Sequence, residues 1–185
     1  MAETEQFWIS AGRPTAGSVV DNGPATNPVI EKEEVKSMLK SLRVSSIYVL
    51  DQDKALDFYV GKLGLQVIDD VPLGYMRWLT VGVPGDGDRC ILLEIPGPPA
   101  MDEKGAAEVR AQVTKGRAGG NLFFTTDDCQ KTYDDLVAKG VEFAEGPTDR
   151  GYGIDCGLRD PFGNYIRFSQ MSETFVSGKW QGVTA

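Results

Sequence analysis

The chain has 185 residues, 41% apolar and 25% charged, which suits one ordinary domain with an extension and a core that needs no disulfide or structural metal. Asp and Glu number 27 against 19 Lys and Arg, and the resulting charge of −8 argues against a nucleic-acid or anionic-membrane partner. There is no histidine, which excludes imidazole-based catalytic triads and the usual three-His or two-His-one-carboxylate metal sites.

Residues 1–27 are rich in Gly, Pro, Ser and Thr, show no period, and read as an arm whose apolar cluster is Phe7-Trp8-Ile9. The start Met1-Ala2-Glu3-Thr4-Glu5 lacks the basic and apolar regions of a signal peptide, so a cytoplasmic location is expected. Nor is there a run of about eighteen apolar residues to span a bilayer. Asn27-Pro28 resembles a helix start, and Ile30, Val35, Met38, Leu39 and Leu42 recur at roughly helical spacing. An amphipathic helix is expected at about 29–41, closing an N-terminal extension over 1–42.

From Val44 to Leu50 the chain is apolar and β-branched, hence a strand. Asp51 can cap the next helix, whose apolar face is Ala55, Leu56, Tyr59, Val60 and Leu63 and which Gly64 ends in a left-handed conformation. Strands are expected at 65–70, 75–82 and 88–95. A Pro- and Gly-rich linker occupies 96–118, helix-permissive between Met101 and Thr114. The pattern then repeats. A strand covers 121–126, Asp127 or Asp128 caps a helix with Tyr133, Leu136 and Val137 inward, and Gly140 ends it. Strands follow at 141–144, 152–158 and 164–169, before a tail at 171–185. Gly64 and Gly140 are equivalent positions 76 residues apart. The chain is therefore read as α+β, with two tandem βαβββ modules at about 43–95 and 119–170.

Cys90, Cys129 and Cys156 form no C-x-x-C pair and read as buried thiols in a reducing compartment. Cys129, beside a predicted helix start, is the one candidate for a reactive thiol. In Arg150-Gly151-Tyr152-Gly153 the glycines permit either a plain hairpin or a bend at which Tyr152 acts as a gate.

The modules resemble the vicinal oxygen chelate superfamily, which includes glyoxalases, bleomycin-resistance proteins and extradiol dioxygenases. The words carrying the resemblance are the stretch from Val49 to Tyr59, the triplet Leu63-Gly64-Leu65, and the turn Asp160-Pro161-Phe162-Gly163-Asn164. It covers about residues 43–170 and implies two open half-barrel sheets, a small-molecule cavity and a homodimer. In metal-using members four ligands converge in that cavity. Their positions here are Val44 (or Ser46 if the register slips), Glu94, Asn121 and Arg167. A single carboxylate beside a permanent cation does not make a metal site, so no metal and no cofactor is expected. If the four positions converge, Glu94 and Arg167 face each other as an ion pair, with Asn121 beside them.

Period-two alternation from these positions adds Ser46, Tyr48, Phe123 and Tyr165 to the cavity. Trp78 and Tyr152 are further candidates, from the third strand of each module. The opposite residues, Ile47, Val49, Leu93, Leu122, Phe124, Ile166 and Phe168, are expected to pack under the helices. An aromatic-walled cavity with few polar groups suits a flat or amphipathic ligand, and a metal-free small-molecule binding protein is the first expectation. The alternative is a metal-independent lyase or isomerase with Glu94 and Arg167 as catalytic candidates. An adjacent Arg, however, works against Glu94 as a base. A metal-dependent enzyme would need other ligands, such as Asp69, Asp70 or Asp155.

Overall fold

The computed structural model describes residues 38–87, 89–116 and 120–178. The arm and most of the expected helix at 29–41 lie outside these residues, and positions 38–41 carry no helix. The described residues from 41 onward belong to one compact unit.

Both modules take the expected βαβββ form. In module 1, β1 (Val44–Tyr48) leads to α1 (Gln52–Leu56), then β2 (Gln66–Pro72), β3 (Arg77–Gly82) and β4 (Cys90–Glu94). The Asp51 carboxylate caps α1 by accepting from the Asp53 and Lys54 N–H groups, both at 3.0 Å. The helix continues through Asp57–Lys62 as π-type turns, with Leu63 N–H reaching Phe58 O at 2.9 Å. Gly64 ends it at φ 79°. The α2 helix (Glu103–Val113), capped by Asp102, occupies the linker.

In module 2, β5 (Asn121–Thr125) leads to α3 (Cys129–Ala138), capped by Asp128 and ended by Gly140 at φ 72°. Strands β6 (Phe143–Asp149), β7 (Gly153–Arg159) and β8 (Tyr165–Met171) come next. A short α4 (Glu173–Val176), in the stretch expected to be a plain tail, closes the described chain.

The two sheets have the same order, β1-β4-β3-β2 and β5-β8-β7-β6, with each first strand parallel to the fourth and the other pairs antiparallel. Helix-facing residues of both modules join in one core. Ile47, Val49, Leu93, Leu122, Ile166 and Phe168 are all buried in it, as the alternation predicts, and Phe124 packs against it. At the seam, Gly120 has no side chain because Ile47 fills the space: a Cβ there would lie 2.4 Å from Ile47 Cγ2.

The Asp160–Asn164 turn ties the modules together. Asp160 Oδ1 accepts from Phe162 N and Asn164 N, while Oδ2 accepts from the buried Tyr59 hydroxyl of module 1 at 2.7 Å. The Asn164 amide donates to Tyr48 O at 2.9 Å and accepts from Gly120 N at 2.6 Å. Burial, then the charge and hydrogen bond of Asp160, hold the Tyr59 phenol well above its ordinary pKa, so it stays a donor.

Candidate ligand-binding faces

Strand register shows which side chains share the face away from the core. In module 1, Ser46 opposes Leu92 and Tyr48 opposes Glu94, while Leu92 also opposes Thr80. Trp78 is two residues from Thr80 and shares its face. The expected residues Ser46, Tyr48, Trp78 and Glu94 thus belong to one surface. Ser46 Oγ donates to a Glu94 carboxylate oxygen. Thr80 Oγ1 donates to Asp69 at 3.0 Å. Burial, then the nearby Glu94 charge, raises the Tyr48 phenol above its usual pKa.

In module 2, Asn121 opposes Tyr165, Phe123 opposes Arg167 and Thr125 opposes Ser169. Across β7, Arg167 opposes Gly157 and Ser169 opposes Asp155. Asn121, Phe123, Tyr165 and Arg167 therefore share this face, and Asp155 joins them. Asp155 is fully buried and is the centre of the cluster. Arg167 Nε donates to Asp155 Oδ2 at 2.8 Å, and Nη2 donates to Oδ1 at 2.5 Å. Arg150 Nε donates to the same carboxylate at 3.2 Å, and the Tyr152 hydroxyl also donates to it. Arg167 further pairs with Glu145 and donates to the Tyr165 hydroxyl. Gly157 makes room for this, because a Cβ there would come within 2.9 Å of the Tyr165 hydroxyl.

Burial alone would raise the Asp155 pKa, but hydrogen bonds from Arg167, Tyr152 and Arg150 outweigh it and hold the carboxyl below its ordinary range. In turn, the hydrogen bond to Asp155 raises the pKa of both Tyr152 and Arg167. The result is a bidentate Arg–carboxylate pair at the centre of a network of two cations, two carboxylates and two phenols.

The expected Glu94–Arg167 pair is not formed within the chain. Glu94 lies on the sheet of module 1 and Arg167 on that of module 2; Glu94 is held by Ser46 and Arg167 by Asp155 and Glu145. Spacing assigned each residue to a face but could not show that each has a local partner. The reactive-thiol reading of Cys129 is also overturned. Cys129 is fully buried and burial pushes its thiol pKa up, while burial takes neighbouring Cys156 to about 12. Both are protonated core thiols, 3.6 Å apart. At Tyr152 the chain is a hairpin, with Arg150 N–H bonded to Gly153 O at 2.9 Å and Gly151 at φ 81°.

Two residues matter that spacing did not single out. Asp155 appeared only as a substitute metal ligand, although a carboxylate centred in the apolar strand Gly-Ile-Asp-Cys-Gly-Leu-Arg already signals a buried partner. Phe175 lies in the stretch taken as a tail. Together with Phe123, Phe124, Thr125, Tyr152, Ser169 and Met171 it lines a mostly apolar pocket of about 300 Å³. Trp78, Tyr48 and Ser46 are not part of this pocket; they stay on the separate face of module 1.

The donor set does not fit a divalent metal. At the four positions where metal-using relatives place ligands, the chain offers Val44, Glu94, Asn121 and a guanidinium already engaged by Asp155. Among the described residues no three His, Cys, Asp or Glu side chains cluster to hold an ion.

Paired βαβββ modules with polar and aromatic residues on their open faces define a glyoxalase-type fold. The chain belongs to the Glyoxalase/Bleomycin resistance protein/Dioxygenase superfamily, which matches residues 41–168. It is 37% identical over 127 residues to the uncharacterized protein YurT of Bacillus subtilis (strain 168), covering 69% of this chain and 96% of that one. The crystal structure of UcmS2 is similar at 35% identity and a TM-score of 0.67, over 72% of this chain and 99% of that one. TnmS3, an antibiotic binding protein from Streptomyces sp. CB03234, is similar at 28% identity and a TM-score of 0.58, over 74% of this chain and 99% of that one. Among the described residues no helix is long and apolar enough to cross a membrane.

Proposed function

We propose that this protein binds an aromatic or amphipathic small molecule on its open sheet faces, without a metal ion, and works as a homodimer in the cytoplasm. The observation that carries the reading is the apolar pocket of module 2, with Phe123, Tyr152 and Phe175 in its wall. The adjoining charges are already matched, because Asp155 accepts from Arg167 Nε and Nη2 while Tyr165 and Glu145 take further donors. Such a face favours shape and ring contacts over capture of a strongly charged ligand. The similarity to TnmS3, an antibiotic binding protein, supports the same class of ligand.

The dimer has a physical motive. Phe123 is 72% exposed and all seven residues of β2 are exposed, so a large apolar and polar surface stays open in one chain. A second copy whose module 1 face covers the module 2 face would enclose the ligand. Three free thiols suit a reducing compartment.

The lyase or isomerase alternative is less well supported. Asp155, the carboxylate beside the pocket, is held by four hydrogen bonds from three residues and is poorly placed to take a proton, and Glu94 lies on the other module's face, away from that pocket. The test is native mass spectrometry of untagged protein, followed by fluorescence titration with antibiotics that carry aromatic or polycyclic cores. The expected result is a metal-free dimer that binds at least one of them saturably and returns it unchanged. A stoichiometric metal ion, or product formation, overturns the reading.

A further inference from the structure

The family match ends at residue 168, inside β8, and the described chain continues through α4. Strand β8 runs on to Met171, and Ser172 then starts α4 with its hydroxyl accepting from Phe175 N–H at 3.3 Å. The Ser172 N–H donates to Tyr152 O at 2.9 Å, so the backbone of the short helix is pinned to the 150–153 hairpin. This brings the Phe175 ring 6.1 Å from the Tyr152 ring at an angle of 55°, within the range of an aromatic pair. Tyr152 is itself fixed, because its hydroxyl donates to buried Asp155.

Phe175 is not part of the common core of the two modules. It remains 38% exposed and shares a pocket with Phe123 and Met171. A large apolar residue held at a pocket wall by a capped turn, on a segment outside the family match, is placed to select among ligands rather than to stabilise the fold.

We propose that Phe175 is a specificity-determining residue: together with Tyr152 it forms a ring wall that favours flat, fused aromatic systems over single rings. The inference rests on the small-molecule reading above. It assigns the choice of ring size to Phe175 on α4, working with Tyr152 of the 150–153 hairpin.

The test uses the full chain and the neutral N-phenyl-1-naphthylamine as probe, with 2-naphthol and phenol as competitors. Wild type, Phe175→Ala, Phe175→Tyr and Phe123→Ala are compared, and thermal melting confirms that each is folded. The wild type is expected to bind the probe saturably and to prefer the two-ring competitor. Phe175→Ala is expected to weaken the probe roughly three- to tenfold, the range of one aromatic contact, and to narrow the preference. Phe175→Tyr should restore both. If Phe123→Ala weakens binding while Phe175→Ala changes neither affinity nor preference, the role of Phe175 is overturned and the binding function stands. If the wild type binds no probe, both are overturned.

Discussion

Modules 1 and 2 have the same strand order, the same parallel first-to-fourth pairing and the same glycine-ended helix, yet their open faces carry different chemistry. Module 1 presents small local pairs, Ser46 with Glu94 and Thr80 with Asp69. Module 2 presents one connected network in which Asp155 holds Arg167, Arg150 and Tyr152. The sides turned to the core are alike because both fill a single core. The open faces are under no such packing demand, and there the two copies have diverged. Repetition in this molecule preserves strand order and core packing, while the side of each strand turned away from the core carries the differences.

Removing the network should show the contrast most strongly. Asp155→Ala strands a largely buried guanidinium and is expected to cost about 3 kcal/mol, read by urea unfolding. The matching change in module 1, Glu94→Ala, is expected to cost less than about 1 kcal/mol, since it removes the acceptor of the Ser46 hydroxyl on a partly exposed face. Equal losses would mean that the two faces are energetically equivalent.

The ties between modules come next. Asn164→Ala leaves Gly120 N–H and Tyr48 O without their partner and should cost about 2 kcal/mol; Tyr59→Phe removes one of the two donors to Asp160 Oδ2, Asn164 Nδ2 keeping the other, and should cost about 1 kcal/mol. In both variants a single unfolding transition is expected by fluorescence and circular dichroism, because the core is shared.

The pH dependence is a subtler probe. The Asp155 pKa is depressed in the fold, so its contribution is present above the unfolded value of about 4 and is lost as pH falls through the folded value. Stability measured from pH 6 downward should therefore drop, and Asp155→Asn should flatten that acid limb. Smallest of all, Gly157→Ala should leave the overall fold intact but displace the Tyr165 hydroxyl, visible as a changed tyrosine environment in near-ultraviolet circular dichroism.

Most of the frame was legible in the sequence because it depends on short-range rules. Asp51 caps a helix, Gly64 and Gly140 end helices at positive φ, and alternation sorts Ile47, Leu93, Leu122 and Ile166 to the core. Alternation likewise sorts Ser46, Tyr48, Glu94, Asn121, Phe123, Tyr165 and Arg167 to the other side, whereas it assigns no face to Trp78 or to Tyr152, which precedes β7. What alternation does not encode is reach. Arg167 binds Asp155 twelve residues earlier on the neighbouring strand, and only strand register makes them partners. The position of Phe175 was likewise hidden, since a four-residue helix held by Ser172 and the backbone of Tyr152 leaves no periodic trace.

The hydrogen bond from Tyr59 to Asp160 joins residues 101 apart in sequence, and that from Asn164 to Tyr48 joins residues 116 apart. The turn that closes the last hairpin makes its local hydrogen bonds within Asp160–Asn164, and completes its set with the first strand and first helix. Such sequence-distant links between the two modules are of the kind that slow folding, because the loop between them must close before they form. Because the two modules share one core, each on its own would leave that core face uncovered.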